Sequence, residues 1–200
     1  MATLLQIKSS IFGDNGNSSK LADQFVQSYL RKNPGTELLI RDLTTSPLPH
    51  LDGQRVGALF SQPESRTPEQ QAILDESDAL VEELRQAEVV VLGVPMYNFG
   101  VPSVLKAYFD HIARAGVTFR YTENGPEGLL EDRPVYILAA RGGFYKDTPT
   151  DSQAPFLTTF LNFIGLKDLK FIYAEGLNVS EDNKREALAQ AADHIERLSA

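Results

Sequence analysis

Cysteine is absent from this chain of 200 residues, which excludes disulfides, thiol nucleophiles and cysteine-ligated metals. Long apolar runs are absent too: none approaches the roughly 20 residues that a membrane span requires. The first eight residues lack the basic-then-apolar order of a signal peptide and are typical of a strand. We therefore expect a cytoplasmic protein that makes no use of a membrane.

Positive charge is also scarce. Nineteen Lys and Arg residues against 27 Asp and Glu give a net charge of −8. Because binding to nucleic acid begins with neutralising phosphates, we expect no nucleic-acid partner. The acidic residues show no metal-ligand spacing, so we expect no metal site. The isolated histidines and several aspartates are interpreted as surface, packing or helix-end residues: His50, His111, His194, Asp110, Asp132 and Asp147.

What the chain does contain is a regular alternation of strand and helix patterns. Apolar strand candidates lie at 4–8, 37–41, 89–94, 135–140 and 170–174, and helical stretches at 18–32, 68–87, 102–114, 154–164 and 181–198. This alternation predicts a doubly wound α/β fold, with a five-stranded parallel sheet and helices on both faces. We expect one domain over residues 1–200, with a functional or partner-facing loop at 43–67.

The segment after the third strand carries the most information. The apolar run from Val89 to Val94 is typical of a strand buried on both faces, and Pro95 ends it. A short loop, Met-Tyr-Asn-Phe-Gly at 96–100, follows before a helix that begins at Pro102. Open α/β sheets bind ligands at the carboxyl ends of their strands. The aromatic faces and single amide of this loop suit a planar ring with polar edges.

The loop after the first strand suggests a phosphate site. Seven of the ten residues from Ser10 to Ser19 are hydroxyl, amide or glycine residues, and a helix follows. Free amides, hydroxyls and a positive helix end together bind anions, although an ordinary N-cap is the alternative. Neither a Walker motif nor the Gly-x-Gly-x-x-Gly fingerprint is present. The pattern favours a monophosphate such as FMN, which a flavodoxin-like strand order of 2-1-3-4-5 binds between strands one and three.

A third loop, Arg-Gly-Gly-Phe-Tyr at 141–145, follows the fourth strand, and its paired glycines allow close backbone approach to a ligand. Alone, such glycines more often mark a plain turn. Three ligand-like loops on one predicted sheet are harder to dismiss, since together they offer a phosphate grip, a ring platform and amides for the ring edge.

Longer motifs lie among these loops. They are Lys-Ser-Ser at 8–10, Arg-Asp-Leu at 41–43, Pro-Met-Tyr-Asn-Phe at 95–99, Arg-Ala-Gly-Val-Thr-Phe-Arg-Tyr-Thr-Glu-Asn-Gly-Pro-Glu-Gly-Leu at 114–129, Arg-Gly-Gly at 141–143, Thr-Phe-Leu-Asn-Phe-Ile-Gly at 159–165 and Ala-Glu-Gly at 174–176. With them the chain resembles, over nearly all its length, the bacterial FMN-dependent NADH:quinone oxidoreductase/azoreductase family. The resemblance implies a flavodoxin-like homodimer with one FMN per subunit and active sites at the dimer interface.

Site residues follow from the same resemblance, by position. It implies a phosphate site at Ser10, Gly16, Asn17 and Ser18. It implies that the flavin ring lies against Met96, Tyr97, Asn98 and Phe99, with its edge near Ala140, Arg141, Gly142 and Gly143. The implied substrate pocket contains Phe99, Tyr121 and Phe163, some of them from the other subunit, and Phe60. Some relatives have a cation where this chain has Phe60, and a serine or threonine where it has Ala140.

The implied reaction is a ping-pong cycle in which NADH or NADPH reduces FMN, and a quinone or azo compound then takes the hydride from the same slot. The proton donor is left open among Tyr121, a histidine and water. Aromatic residues and arginine in predicted loops, at 119–121 and 144–145, also favour a dimer. The alternatives are a flavodoxin-type electron-transfer protein, a phosphate-ester hydrolase and a receiver domain. The last is disfavoured because Ser9 and Ser10 replace its paired acids.

Overall fold

Strands and helices alternate along residues 2–199, the part of the chain that this computed structural model describes. The strands are β1 (Thr3–Lys8), β2 (Glu37–Asp42), β3 (Val89–Pro95), β4 (Phe119–Thr122), β5 (Gly125–Gly128), β6 (Val135–Ala140) and β7 (Leu169–Ala174). The α-helices are α1 (Asn17–Lys32), α2 (Gly53–Leu59), α3 (Pro68–Gln86), α4 (Ser103–Ile112), α5 (Gln153–Ile164) and α6 (Glu181–Leu198).

The central sheet has five parallel strands in the order β2-β1-β3-β6-β7. Because β4 and β5 form a separate hairpin, this is the predicted order 2-1-3-4-5, which is confirmed along with the flavodoxin-like fold class. Helices α1 and α6 pack on one face, while α3, α4 and α5 pack on the other. All seven residues of β3 are buried, as expected for a central parallel strand covered on both faces.

Element boundaries match the predictions within one residue, except at the helix predicted over 102–114. Pro102 lies just before the first turn of α4, and the helix ends at Ile112. The reason for the early end is Thr118, whose buried hydroxyl donates to the Ile112 carbonyl at 2.6 Å and accepts from the Arg114 N–H at 2.9 Å. A side chain thus takes the place of the next helical turn.

Two predicted loops are wrong in part. The insertion at 43–67 contains α2, which Asp52 caps by accepting from the Arg55 N–H at 2.8 Å. Residues 119–121 lie in β4, which pairs antiparallel with β5. Strands of four residues are too short for periodicity to detect. A Cβ on Gly128 would lie 2.2 Å from the Gly165 nitrogen, so the hairpin packs directly on the end of α5.

Candidate functional site

Three loops meet at the carboxyl edge of the sheet, after β1, β3 and β6. The Tyr97 hydroxyl from the β3 loop lies 3.3 Å from the Ser10 hydroxyl and accepts from the Ile11 N–H at 3.3 Å. The Met96 N–H donates to the Ala140 carbonyl at 2.9 Å, which joins the β3 and β6 loops. The structure therefore brings the three predicted ligand loops into one continuous surface, at the position where such sheets bind ligands.

The β1 loop forms a close cradle at the start of α1. A Cβ on Gly16 would lie 2.1 Å from the Ser10 Oγ, so the backbone passes directly over this buried serine. Gly16 precedes α1, and no side chain caps the helix. The first amides of a helix lack partners within it and carry its positive end. Asn17 and Ser18 lie in that first turn, so all four predicted phosphate residues come together here.

Two hydroxyls in the first turn of α1 are buried and, among residues 2–199, have no hydrogen-bond partner: those of Ser18 and Ser19. An unpaired buried hydroxyl destabilises a protein by roughly 1–3 kcal/mol. An anion with several acceptor oxygens would accept from such a hydroxyl and from the free amides beside it. The donors of this cradle therefore fit a phosphate group, and no group in residues 2–199 satisfies the two hydroxyls.

Lys8 stabilises the cradle through two ion pairs. Its ammonium group lies 2.8 Å from the Asp14 carboxylate and 2.9 Å from that of Asp23, which ties the turn at 13–15 to β1 and to α1. Burial lowers the pKa of Lys8, but hydrogen bonds to the two aspartates and their charges outweigh it, so the pKa is raised above its ordinary value. Lys8 therefore stays charged and pairs within the protein.

The β3 loop forms a hairpin over residues 97–100, with two central residues, which is separate from the β4–β5 pair. Tyr97 and Gly100 exchange both backbone hydrogen bonds, at 3.2 and 3.0 Å, across Asn98 and Phe99. Both central residues have positive φ, 49° for Asn98 and 67° for Phe99, the pattern of a type I′ turn. This conformation is unusual for an aromatic residue and stores strain. The hairpin presents Phe99 at the surface, with 52% of it exposed.

The Arg141 guanidinium points into the protein. It binds Asp151 through two hydrogen bonds, at 2.9 and 3.1 Å, and Glu175 at 3.1 Å, and its side chain is fully buried. The backbone N–H of Arg141 donates to the Ala174 carbonyl at 2.8 Å. Of the residues predicted to contact the ring edge, Arg141 therefore shapes the loop without offering its side chain to a ligand.

The two glycines after Arg141 are different. Their carbonyls accept from the Asn178 N–H and the Gly176 N–H, both at 3.0 Å, whereas the N–H groups of Gly142 and Gly143 have no partner within the described part of the chain. The Ala140 carbonyl accepts from the Met96 N–H, and the Ala140 side chain is buried. The free donors at this edge of the site are thus the two glycine amides, which suit a polar or anionic ligand edge.

The four predicted pocket aromatics do not meet within one chain. Phe60 and Tyr121 are 68% and 77% exposed, and Phe163 is half-buried against Phe119, with ring centroids 4.2 Å apart. Tyr121 contacts Phe119 edge-on at 5.6 Å. Within residues 2–199, no ring contact joins this group to Phe60 or Phe99. The pocket predicted from all four is not closed by a single copy of the chain.

An open groove of about 860 Å³ runs beside the hairpin, with Ile11, His50 and Met96 among its lining residues. Its volume is in the range of small-molecule sites. A second depression of about 680 Å³ lies between β7 and α6. That depression mixes cations such as Arg197 with anions such as Asp193 and includes none of the predicted site residues.

Two of the remaining titratable candidates, His111 and Asp132, have structural roles. His111 is buried, with Nδ1 2.8 Å from the Ala107 carbonyl and Nε2 3.1 Å from Arg55, which is a packing arrangement. Asp132 is exposed as expected, but its carboxylate also accepts the N–H groups of Lys167 and Asp168 at 2.7 and 3.1 Å. These two hydrogen bonds hold its pKa below the ordinary value.

Residues 2–199 contain no group of three or more His, Cys, Asp or Glu side chains placed to hold a metal ion. No helix in the same residues is long and apolar enough to span a membrane.

Sequence reasoning missed the residues that support the hairpin. Gln153, the first residue of α5, is fully buried and donates to the Pro95 and Gly100 carbonyls. Ser152 donates to the Phe99 carbonyl. The only signal for Gln153 was an amide at the start of a largely apolar helix, and Glu175 was present in the motif at 174–176 without a role.

Comparisons with known proteins show the family of this chain. Residues 2–198 match a family described as having a flavodoxin-like fold. The chain is 61% identical over 197 residues to an FMN-dependent NADH:quinone oxidoreductase of Cellvibrio japonicus, with 98% of each chain covered. It is 54% identical to a protein of the same name from Alcanivorax borkumensis, over 96% of this chain and 97% of that one.

Solved structures give the same result. An azoreductase from Bacillus anthracis superposes with a TM-score of 0.90 at 26% identity, covering 100% of this chain and 99% of that one. An FMN-dependent NADH-azoreductase from Bacillus anthracis, solved with FMN, superposes with a TM-score of 0.88 at 27% identity, over 100% and 98% of the two chains. The chain belongs to the flavodoxin-like family of FMN-dependent NADH:quinone oxidoreductases and azoreductases.

Proposed function

We propose that this protein binds one FMN per subunit and uses it to pass two electrons from NADH to quinones, and to cleave aromatic azo compounds to amines. The observation that carries the proposal is the cradle at the start of α1, where a buried unpaired Ser18 hydroxyl and free amides adjoin a flat hairpin. Relatives at 54–61% identity carry the name of this activity.

The cofactor placement follows the three loops. The phosphate would be held by the residues of the cradle, Ser10, Gly16, Asn17 and Ser18. The ring would lie against the hairpin residues, Met96, Tyr97, Asn98 and Phe99. Its polar edge would face the β6 loop, Ala140, Arg141, Gly142 and Gly143, chiefly through the two free glycine amides.

FMN, when bound, supplies a ring that takes up a hydride from one partner and delivers it to another. The chain itself supplies position and electrostatics. The Gly142 and Gly143 N–H groups have no partner within residues 2–199, and the N–H groups of Asn178 and Gly176 hold this loop through the two glycine carbonyls. With FMN bound, the two glycine amides would donate to the polar edge of the ring and would stabilise negative charge there without reorganising. Exposed aromatics such as Phe99 hold planar partners at contact distance and exclude water.

One slot for both partners predicts ping-pong kinetics. NADH would stack against the aromatic wall, leave, and be replaced by the quinone or azo compound. Parallel double-reciprocal lines are expected when NADH and quinone are varied together, and intersecting lines would contradict a shared slot. The relatives' names support NADH as donor, with NADPH as the alternative. Use of a nicotinamide donor supports a cytoplasmic location.

A homodimer with active sites at its interface completes the proposal. Large apolar side chains of the site region are exposed, among them Ile11, Phe12, Phe60, Phe99 and Phe144. Exposed apolar patches of this kind mark interfaces. A partner subunit would bring together the pocket aromatics that one chain leaves apart. Sedimentation at micromolar concentration should give a mass near 44 kDa, twice the 22.1 kDa of one chain; a monomer would contradict this part.

The alternatives receive less support. A phosphate-ester hydrolase needs an activated nucleophile, but Ser9 donates to the Gly93 carbonyl at 2.8 Å and Ser10 contacts Tyr97, so neither serine pairs with a base. An electron-transfer flavodoxin would share the fold. However, the two relatives described above, which align with 96% or more of this chain, are named as oxidoreductases.

The test is to purify the protein, load it with FMN, and follow its visible spectrum. We expect flavin bands that bleach on adding NADH and recover on adding a simple quinone, with steady turnover of both. A protein that binds no FMN in excess would overturn the proposal. Bleaching without quinone or azo turnover would favour the electron-transfer alternative, and ester hydrolysis without flavin would favour the hydrolase.

A further inference from the structure

A single buried glutamine joins the hairpin to the rest of the site. The Gln153 Nε2 donates to the Pro95 carbonyl at 2.9 Å and to the Gly100 carbonyl at 3.1 Å, on the two sides of the turn. Its Oε1 accepts from the Arg141 Nε at 3.2 Å. Gln153 is 0% exposed, so none of these hydrogen bonds competes with solvent.

The network fixes the orientation of the amide. Arginine can only donate hydrogen bonds and backbone carbonyls can only accept them, so the Oε1 must face Arg141 and the Nε2 must face the hairpin. Both protons of the amide are used. Arg141 is in turn held by Asp151 and Glu175, and Glu175 accepts the Tyr145 N–H at 2.9 Å. The hairpin is thereby linked through Gln153 to the loop that carries the glycine amides.

The hairpin needs such support because its backbone is strained. Asn98 and Phe99 both have positive φ, a conformation that persists only where the surroundings impose it. Ser152, the residue before Gln153, donates to the Phe99 carbonyl. Two consecutive residues at the start of α5 thus hold the Phe99 and Gly100 carbonyls of the hairpin and the Pro95 carbonyl that precedes it.

We propose that Gln153 is a positioning residue for the flavin ring: it sets the conformation of the 97–100 hairpin and its distance from the Gly142 and Gly143 amides. The inference rests on the proposed function, since it assumes that the ring lies on the hairpin. Gln153 acts at the ring and not at the phosphate cradle. Its loss should therefore weaken the binding of riboflavin, which has no phosphate, as much as that of FMN.

The first experiment compares Gln153→Leu with the wild type by titrating flavin fluorescence. We expect the affinity for riboflavin and for FMN to fall by a similar factor, about tenfold, because the two hydrogen bonds to the Pro95 and Gly100 carbonyls are lost together with the one from Arg141. Ser77→Ala is the control: the Ser77 hydroxyl is fully buried, donates to the His111 carbonyl at 2.6 Å and accepts from Arg114 at 2.7 Å, and neither partner belongs to the hairpin. It should lower the unfolding temperature and leave both affinities unchanged.

The second experiment uses Gln153→Glu, which keeps the size of the side chain. When ionised, its carboxylate faces the Pro95 and Gly100 carbonyls without a proton to donate; when protonated, it can donate to one of them. The charged groups around it are Arg141, Asp151 and Glu175, with the Tyr173 ring 4.9 Å from the guanidinium carbon. Riboflavin affinity of the variant should rise severalfold as pH falls from about 8 to 5.5, while that of the wild type stays flat.

The outcomes separate the two proposals. If the wild type binds no flavin, the proposed function fails. If the wild type binds flavin while Gln153→Leu and Gln153→Glu remain folded and bind riboflavin as tightly as the wild type at every pH, the role of Gln153 is wrong. A loss confined to FMN would also overturn it, because that result would place the effect at the phosphate. Failure of Gln153→Leu to fold leaves the pH profile of Gln153→Glu as the deciding measurement.

Discussion

The two ends of the site are built in opposite ways. At the phosphate end, the Ser18 hydroxyl is buried without a partner and the first amides of α1 are uncapped. At the ring end, the carbonyls of Pro95, Phe99 and Gly100 all accept hydrogen bonds from the start of α5. The phosphate end has unsatisfied donors and an ordinary backbone, whereas the hairpin at the ring end has satisfied carbonyls and a strained backbone.

This difference indicates how each end gains binding energy. Donors that are already buried and unpaired have lost their water, so an anion that satisfies them recovers a penalty present in the free protein. A hairpin that already has its binding conformation instead reduces the conformational entropy that is lost when the ligand binds. Substitutions at the phosphate end should therefore discriminate between FMN and riboflavin, and substitutions at the ring end should not.

The largest effect is expected from Arg141→Met at the ring end. The substitution leaves the mostly buried carboxylates of Asp151 and Glu175 without their cation. Removing one partner of a buried ion pair lowers the free energy of unfolding by about 3–5 kcal/mol. Denaturant unfolding should show this loss, and binding of both flavins should fail with it. Arg120→Met is the matched control, because its pair with Glu127 is exposed and should contribute nothing measurable. Equal effects of the two variants would contradict the role of Arg141.

Gly16→Ala should have the next largest effect, at the phosphate end. Gly16 has a φ of −65°, which any residue adopts, so the problem is steric: the new Cβ would lie 2.1 Å from the Ser10 Oγ. Displacing Ser10 should reduce FMN affinity by about tenfold or more, equivalent to about 1.4 kcal/mol. Riboflavin affinity, measured by the same fluorescence titration, should stay close to that of the wild type. A parallel loss of both ligands would remove the distinction between the two ends.

Ser18→Ala should have a smaller effect on FMN affinity and, unlike most substitutions of buried residues, should stabilise the flavin-free protein. Removing a buried unpaired hydroxyl should stabilise the flavin-free protein by about 1 kcal/mol while FMN affinity falls about fivefold. Ser9→Ala is the matched comparison, since the Ser9 hydroxyl is buried but already donates to the Gly93 carbonyl at 2.8 Å. That variant should lose stability with little change in FMN affinity. Thermal unfolding with and without FMN measures both quantities, and destabilisation of the flavin-free protein by Ser18→Ala would refute the interpretation.

The same contrast explains what could be predicted from the sequence. The strand and helix positions and the phosphate loop follow local rules: apolar runs, helix periodicity, and hydroxyls before a helix start. The order of the strands follows from the flavodoxin-like fold class and not from a local pattern. Residues 10–19 carried their signal within ten positions. The ring end depends on Gln153, which is 53 positions from Gly100 along the chain, and no short-range pattern encodes that contact.

Two other features were out of reach for similar reasons. A type I′ turn is normally recognised by Asn-Gly or Gly-Gly, and here Asn98 is followed by Phe99 in a conformation that tertiary contacts impose. The hairpin of β4 and β5 is stabilised by its packing against α5 at Gly128, and its four-residue strands have no periodicity of their own. Arg141 was identified, but only burial shows that its charge serves Asp151 and Glu175.

The smallest effect is expected from Lys8→Met, which tests whether charge pairing shapes the phosphate end. Without Lys8, the turn at 13–15 loses its tie to β1, and FMN affinity should fall about threefold while riboflavin affinity does not change. Lys146→Met, whose pair with Asp147 is exposed, should leave both affinities unchanged.

The pH dependence of stability gives an independent check on Lys8. Because its pKa in the folded protein is raised above the ordinary 10.5, its pairing with Asp14 and Asp23 contributes fully below that value and is lost as pH rises through the folded pKa. The difference in unfolding free energy between wild type and Lys8→Met should therefore be constant from about pH 6 to 9 and shrink only above the ordinary lysine pKa. A difference that persists unchanged well above the folded pKa of Lys8 would mean that Lys8 shapes the cradle through its packing and not through its charge.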